Sequence, residues 1–163
     1  MSTWTARDYS PENCSIAATL ALVGEKWTFL VLREAFNGVR RFDDMYRRLG
    51  APRQVLSVRL SRLVDEGILR RQPYREPGQR QRYDYRLTEK GIELYPILVA
   101  LLTWGDKWVG DPAGPPVTLH HRGCGGEIGQ VLRCEHGHDL AGAREVEPRP
   151  GPGARPAATG TAG

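Results

Sequence analysis

Apolar side chains recur at helical spacing through the first part of the chain, interrupted at regular intervals by glycine. Ile16, Leu20 and Val23 follow Asn13, which suits an N-cap, and Gly24 closes this first helix. Trp27, Leu30, Val31 and Ala35 mark a second helix that stops at Asn37-Gly38. Phe42, Met45, Tyr46 and Leu49 give a short third helix closed by Gly50. Pro52 suits the first position of a fourth, along which Leu56, Leu60 and Leu63 recur before Gly67. A short helix, a turn containing glycine and a second amphipathic helix form the layout of a helix-turn-helix.

The period then changes from helical to alternating. Ile68 to Tyr74 reads as a strand, and Arg82 to Leu87 sets Tyr83, Tyr85 and Leu87 against Arg82, Asp84 and Arg86. Between them Glu76-Pro77-Gly78-Gln79 has the residues of a tight turn, so the segment predicts a β-hairpin with a basic tip, a wing. Thr88 caps a long helix from about Glu89 to Trp108 that is apolar on more than one face, with Pro96 predicting a kink or a late start. That much apolar surface calls for a partner chain.

Residues 111–116 are a linker by composition, and residues 117–146 a small β module bearing cysteine and histidine. Residues 147–163 are too poor in core-forming side chains to stay ordered, and residues 1–11 are an N-terminal arm. The expected fold is mainly α with a small β-hairpin wing: a winged helix-turn-helix over 12–110, followed by the Cys/His module.

Composition adds a direction to this picture. The chain has 163 residues, 40% of them apolar, which is enough for one real core. Its formal net charge is +4, but residues 39–90 alone carry 14 Lys or Arg against 7 Asp or Glu. Positive charge concentrated on the helix-turn-helix and hairpin is what a surface facing phosphates requires; a solvated basic face is the alternative. No run reaches the roughly 20 apolar residues of a membrane span, and Met1 to Ser10 lacks the layout of a secretory signal, so a cytoplasmic protein is expected. Three cysteines, Cys14, Cys124 and Cys134, are not spaced as a disulfide framework and fit a reducing compartment.

Several longer runs carry a resemblance. Cys14 ahead of the first helix, Leu22-Val23-Gly24-Glu25-Lys26-Trp27, Arg41-Phe42-Asp43-Asp44-Met45, Val55-Leu56-Ser57-Val58-Arg59-Leu60 and Tyr85-Arg86-Leu87-Thr88-Glu89-Lys90-Gly91 resemble the HxlR-type regulators of bacteria over about residues 12–110. Ala51-Pro52 stands where Ile-Ser often opens the recognition helix in that family. The resemblance implies a MarR-like winged helix, a homodimer formed through the first and last helices, and regulation of nearby genes by binding double-stranded DNA.

With the leucines of the fourth helix turned inward, Arg53, Gln54, Ser57, Val58 and Ser61 face outward. Arg53 suits guanine and Gln54 adenine in a major groove, Ser57 a base or a phosphate, and Arg59 and Arg62 flanking phosphates. Arg75, Arg80 and Arg82 on the hairpin suit the backbone or minor groove, and two heads in a dimer favour a palindromic site. Asp43-Asp44 reads as a cap for the third helix.

Cys14, near a helix start, is placed where some family members sense oxidants; a small buried residue is the plain alternative. Thiol oxidation and a small ligand both stay open as the switch. His121, Cys124, Cys134 and His138 form two chelating pairs that can close a structural zinc site, with a metal-free hairpin or a Cys124–Cys134 disulfide as the alternatives. Catalysis finds no support: there is no phosphate-binding glycine loop and no Ser, His and acid frame. The competing function is a winged-helix protein-interaction module that does not bind DNA.

Overall fold

The chain runs α1 (Ser15–Val23), α2 (Lys26–Phe36), α3 (Phe42–Leu49), α4 (Arg53–Asp65), β1 (Leu69–Tyr74), β2 (Arg82–Leu87), α5 (Glu89–Ile92) and α6 (Tyr95–Trp108). The computed structural model describes residues 10–78 and 80–157. Most of the expected N-terminal arm, part of the C-terminal tail and Gln79 of the expected turn lie outside the described residues. The chain forms two compact units, Gly24–Gln130 and a second that joins residues 10–23 with 131–157. The stretch 117–146, expected as one module, is therefore divided at Gln130.

Within Gly24–Gln130 the core is made where the helical periods intersect. Leu56, Leu60 and Leu63 of α4 are buried, as are Val31 and Leu32 of α2, Met45 of α3, and Ile68 and Leu69 at the entry to the hairpin. α3 ends at Gly50, whose φ of 63° supplies the left-handed turn that a β-carbon would resist. Pro52 caps α4 rather than opening it, one residue earlier than expected.

Glu34 brings a charge into this interior, where Thr28 is also buried. This glutamate is 1% exposed, yet Arg33 Nη2 donates to its Oε1 at 2.6 Å and Arg48 Nε donates to its Oε2, tying α2 to α3. Burial alone would raise the carboxyl's pKa, but the hydrogen bonds and charges of Arg48 and Arg33 outweigh it and hold the pKa below the usual carboxylate range. Because the folded-state value is depressed, this stabilisation is complete above the unfolded value and is lost as pH falls through the folded one. Glu34→Gln is expected to remove about 1.5–3 kcal/mol at neutral pH, the worth of hydrogen bonds to a charged group. It should also flatten the acid limb of the stability curve. Urea denaturation across a pH series measures both, and superimposable acid limbs would refute the assignment.

β1 and β2 pair antiparallel from Leu69↔Leu87 to Tyr74↔Arg82. The hairpin is fastened to the entry of α3 by a bridge between Arg41 and Asp84 and by the Tyr85 N–H, which donates to the Arg40 carbonyl at 2.8 Å. The segment after β2 explains the Leu-Thr-Glu-Lys-Gly run. Thr88 Oγ1 accepts from the Gly91 N–H at 3.1 Å, capping α5, and donates to the Gly67 carbonyl at 2.6 Å. Lys90 Nζ donates to the Glu66 carbonyl at 2.7 Å, at the C-terminal end of α4. The single long helix expected over 89–108 is instead two: α5 stops at Ile92, and α6 starts at Tyr95 with Pro96 in its first turn, where the missing N–H costs least.

In the second unit Asn13 is not the N-cap of α1. It closes a 3-10 turn, and its side-chain amide donates to the Gly153 carbonyl at 2.7 Å, while Cys14 O accepts the first helical N–H, from Ala18. Among the described residues no single helix is long and apolar enough to cross a membrane.

Candidate nucleic-acid interface

The first turns of α4 leave the reading positions open. Arg53, Gln54, Ser57 and Val58 are all exposed, and Phe42 joins Arg53, Gln54 and Ser57 around a shallow concavity of about 550 Å³. This exposure follows from the inward Leu56, Leu60 and Leu63, which fix the rotation of α4 about its axis. Ser61, expected outward, is half-buried and accepts from Arg71 Nη2 at 3.2 Å. Arg59 is mostly buried and pairs with Glu25 at 2.9 Å, which fastens α4 to the start of α2. Arg62 is exposed on the C-terminal half of the same helix.

The hairpin lies next to this surface. Arg75 and Arg80 are exposed beside the turn, where Gly78 has a φ of 77°. Arg82, the first residue of β2, reaches back to α3, where Asp43 Oδ2 accepts from its Nη1 at 3.2 Å. The other oxygen of Asp43 accepts from Arg53 Nη2 at 3.5 Å. The Arg53 guanidinium also lies 4.8 Å from the Phe42 ring centre and 5.6 Å from that of Tyr46. One carboxylate thus brings the first turn of α4 and the base of the hairpin together. The expectation that Asp43 and Asp44 cap α3 is corrected: they occupy its first turn but make no side-chain cap, Asp44 pairing with Arg47.

Sequence reasoning missed Arg71, which reaches Ser61 and lies over the Tyr83 ring. It placed Arg41 near the reading helix as added charge without its partners: Arg41 lies 4.5 Å over Tyr74 while pairing with Glu76 at 2.9 Å. It likewise read Asp43 without its two arginine partners. The register of the hairpin was the available signal for Arg71, which pairs with Tyr85 across the ladder beside Tyr83.

The remaining expected residues lie elsewhere. Cys14 is half-buried with a free thiol, between the 3-10 turn and α1. His121 Nδ1 lies 3.3 Å from Cys124 Sγ, and Cys134 Sγ lies 3.5 Å from His138 Nδ1, each pair within its own unit. Cys124 and Cys134 are both free thiols. Among the described residues no three His, Cys, Asp or Glu side chains are grouped to hold a metal ion.

Helices packed on a reading helix, with an arginine-bearing hairpin at its side, define a winged helix-turn-helix of the MarR-like type anticipated above. Residues 22–112 match the model of the HxlR-like helix-turn-helix family, and the chain belongs to that family of transcriptional regulators. It is 47% identical over 142 residues to an uncharacterised HTH-type transcriptional regulator of Mycobacterium tuberculosis, covering 87% of this chain and 89% of the relative. The solved structure of PA1607, described as a candidate transcription factor, is similar over 85% of this chain and 95% of its own, with a TM-score of 0.74 and 34% identity. The redox regulator HypR in its oxidised form is similar over 56% of this chain and 94% of its own, with a TM-score of 0.51 and 28% identity. Fold and relatives alike are those of a regulator rather than an enzyme.

Proposed function

We propose that this protein is a homodimeric cytoplasmic regulator that reads a palindromic DNA operator. α4 enters the major groove with Arg53, Gln54, Ser57 and Val58 toward the base edges, and Arg62, Arg75, Arg80 and Arg82 take phosphates. The observation that supports the reading is the meeting of Arg53 and Arg82 at Asp43, which joins the first turn of α4 to the base of the hairpin. The dimer is supported by α6, where Ile97, Leu101, Trp104 and Trp108 form one exposed apolar stripe, and by α1, which exposes Ile16 and Leu20. A second copy of the chain covers them. Likeness to HypR supports Cys14 as an oxidant-sensitive thiol, since it stands free at the start of α1.

Fluorescence anisotropy of the full chain against duplex from upstream of its own gene, over a salt series, tests this function. Affinity should fall steeply with salt, and Arg75→Gln or Arg80→Gln should each flatten the log–log slope by about one unit, whatever the sequence. Gln54→Ala should instead relax preference at one base pair per half-site by about 1–3 kcal/mol. Absence of binding at low salt would reject the proposal in favour of a winged-helix module that recognises protein.

A further inference from the structure

In the free protein the Arg53 side chain, 65% exposed, lies along the surface of α3. It is folded back over Phe42 and Tyr46, and its charge is shared with Arg82 through the two oxygens of Asp43. Asp43 is half-exposed on the first turn of α3, so this carboxylate faces the surface that duplex DNA would approach. Two elements that must act together, the reading helix and the wing, are therefore held by one group that is itself repelled by phosphate.

We propose that Asp43 is a positioning and specificity-determining residue, a carboxylate gate that withholds Arg53 and Arg82 from DNA lacking the right bases; this rests on the DNA-binding function proposed above. Engagement exchanges the carboxylate for new partners at both arginines. Any duplex offers Arg82 a phosphate, but only a matching base edge repays Arg53 for leaving Asp43 and the two rings. Random sequence thus releases one arginine with compensation and the other without it, whereas the operator compensates both. The gate weakens unspecific binding more than specific binding.

Asp44 supplies the control. It is the next residue of the same helix turn and carries the same charge, but it pairs with Arg47 and touches neither Arg53 nor Arg82. Asp43→Asn and Asp44→Asn therefore change net charge equally; the second frees Arg47, and only the first frees Arg53 and Arg82.

The test is anisotropy of the full chain with a labelled random-sequence duplex over a salt series, beside the upstream duplex, with thermal melting to verify folding. Asp43→Asn should tighten random-duplex binding about three- to tenfold, as expected from releasing two exposed ion pairs. It should steepen the salt slope by about one to two units as the freed arginines recruit phosphates, and it should lower the ratio of specific to random affinity. In an Arg82→Gln background, part of the gain in random-duplex affinity should disappear. Equal shifts for Asp43→Asn and Asp44→Asn would overturn the gate and leave a simple net-charge effect. Weaker binding of both duplexes by Asp43→Asn would overturn it in favour of a merely structural carboxylate. A wild-type chain that binds no duplex would remove the DNA-binding function itself, and the gate with it.

Discussion

Gly91→Ala should unfold this protein at a markedly lower temperature, although alanine is the better helix former. Gly91 lies in α5 with ordinary helical backbone, so propensity alone predicts a gain of about 0.8–1 kcal/mol for alanine. Its surroundings reverse the sign. A β-carbon there would collide with the Ile68 carbonyl oxygen and stand 3.1 Å from Leu87 Cδ2. The first of these is backbone, fixed by the Thr88 N–H, which donates to the same carbonyl at 3.1 Å, so it cannot swing aside as a side chain would. Accommodating the methyl means lifting α5 off the hairpin base and straining the Thr88 cap. Overpacking of this kind costs about 1–3 kcal/mol, and each kilocalorie moves the midpoint of a chain this size by about 2–4 °C. A fall of roughly 2–10 °C by circular dichroism is expected. A variant that melts at or above the wild-type temperature would show that α5 is free to move away.

Charging the apolar stripe of α6 should have the other large effect. Leu101 and Trp104 are 51% and 60% exposed and lie outside the core that the described residues form. Burying such a side chain is worth about 1.5–3 kcal/mol, and a dimer buries two from each chain. Leu101→Glu with Trp104→Glu is expected to shift the protein to a monomer in sedimentation-velocity experiments, with its melting behaviour at low concentration nearly unchanged. Operator affinity should drop by orders of magnitude, because each head then binds its half-site alone. Sedimentation identical to wild type would mean that α6 is not the dimer face.

The parts of this architecture that were legible in the sequence are those governed by local period and local turns. Leu56, Leu60 and Leu63 announce both the existence of α4 and the face it buries, and from that face the exposure of Arg53, Gln54, Ser57 and Val58 follows, though not the half-burial of Ser61. Gly50, Gly67 and the Thr88 cap mark boundaries because their chemistry acts on their own neighbours in the chain. What sequence leaves undetermined is the choice of distant partner. Asn13 has the side chain of an N-cap but donates to Gly153, 140 residues away. Arg59 reads as a flanking cation because only the fold brings Glu25 to it. Asp43 reads as a helix-start acid, which its position allows, while its two arginine partners are contributed by α4 and β2. The break between α5 and α6 falls between these extremes: Pro96 signals it, but its place depends on how the Thr88 cap seats α5 against Ile68.

In the proposed dimer that break would set the span between the two heads. α5 is seated on the reading head through Thr88, Lys90 and Gly91, whereas α6 carries the apolar stripe, and only Glu93 and Leu94 stand between them. Pro96 brings no N–H to the ladder there, so the joint is spanned by fewer backbone bonds than a continuous helix would have, the Leu94 N–H donating to the Gly91 carbonyl at 3.2 Å. In the proposed dimer it acts as an elbow between shoulder and hand. The shoulders stay clasped along α6 while flexion at Glu93-Leu94 sets the reach between the hands. An effector or oxidant would then need only to lock that elbow at an unsuitable angle to take the two reading helices out of step with successive turns of the double helix.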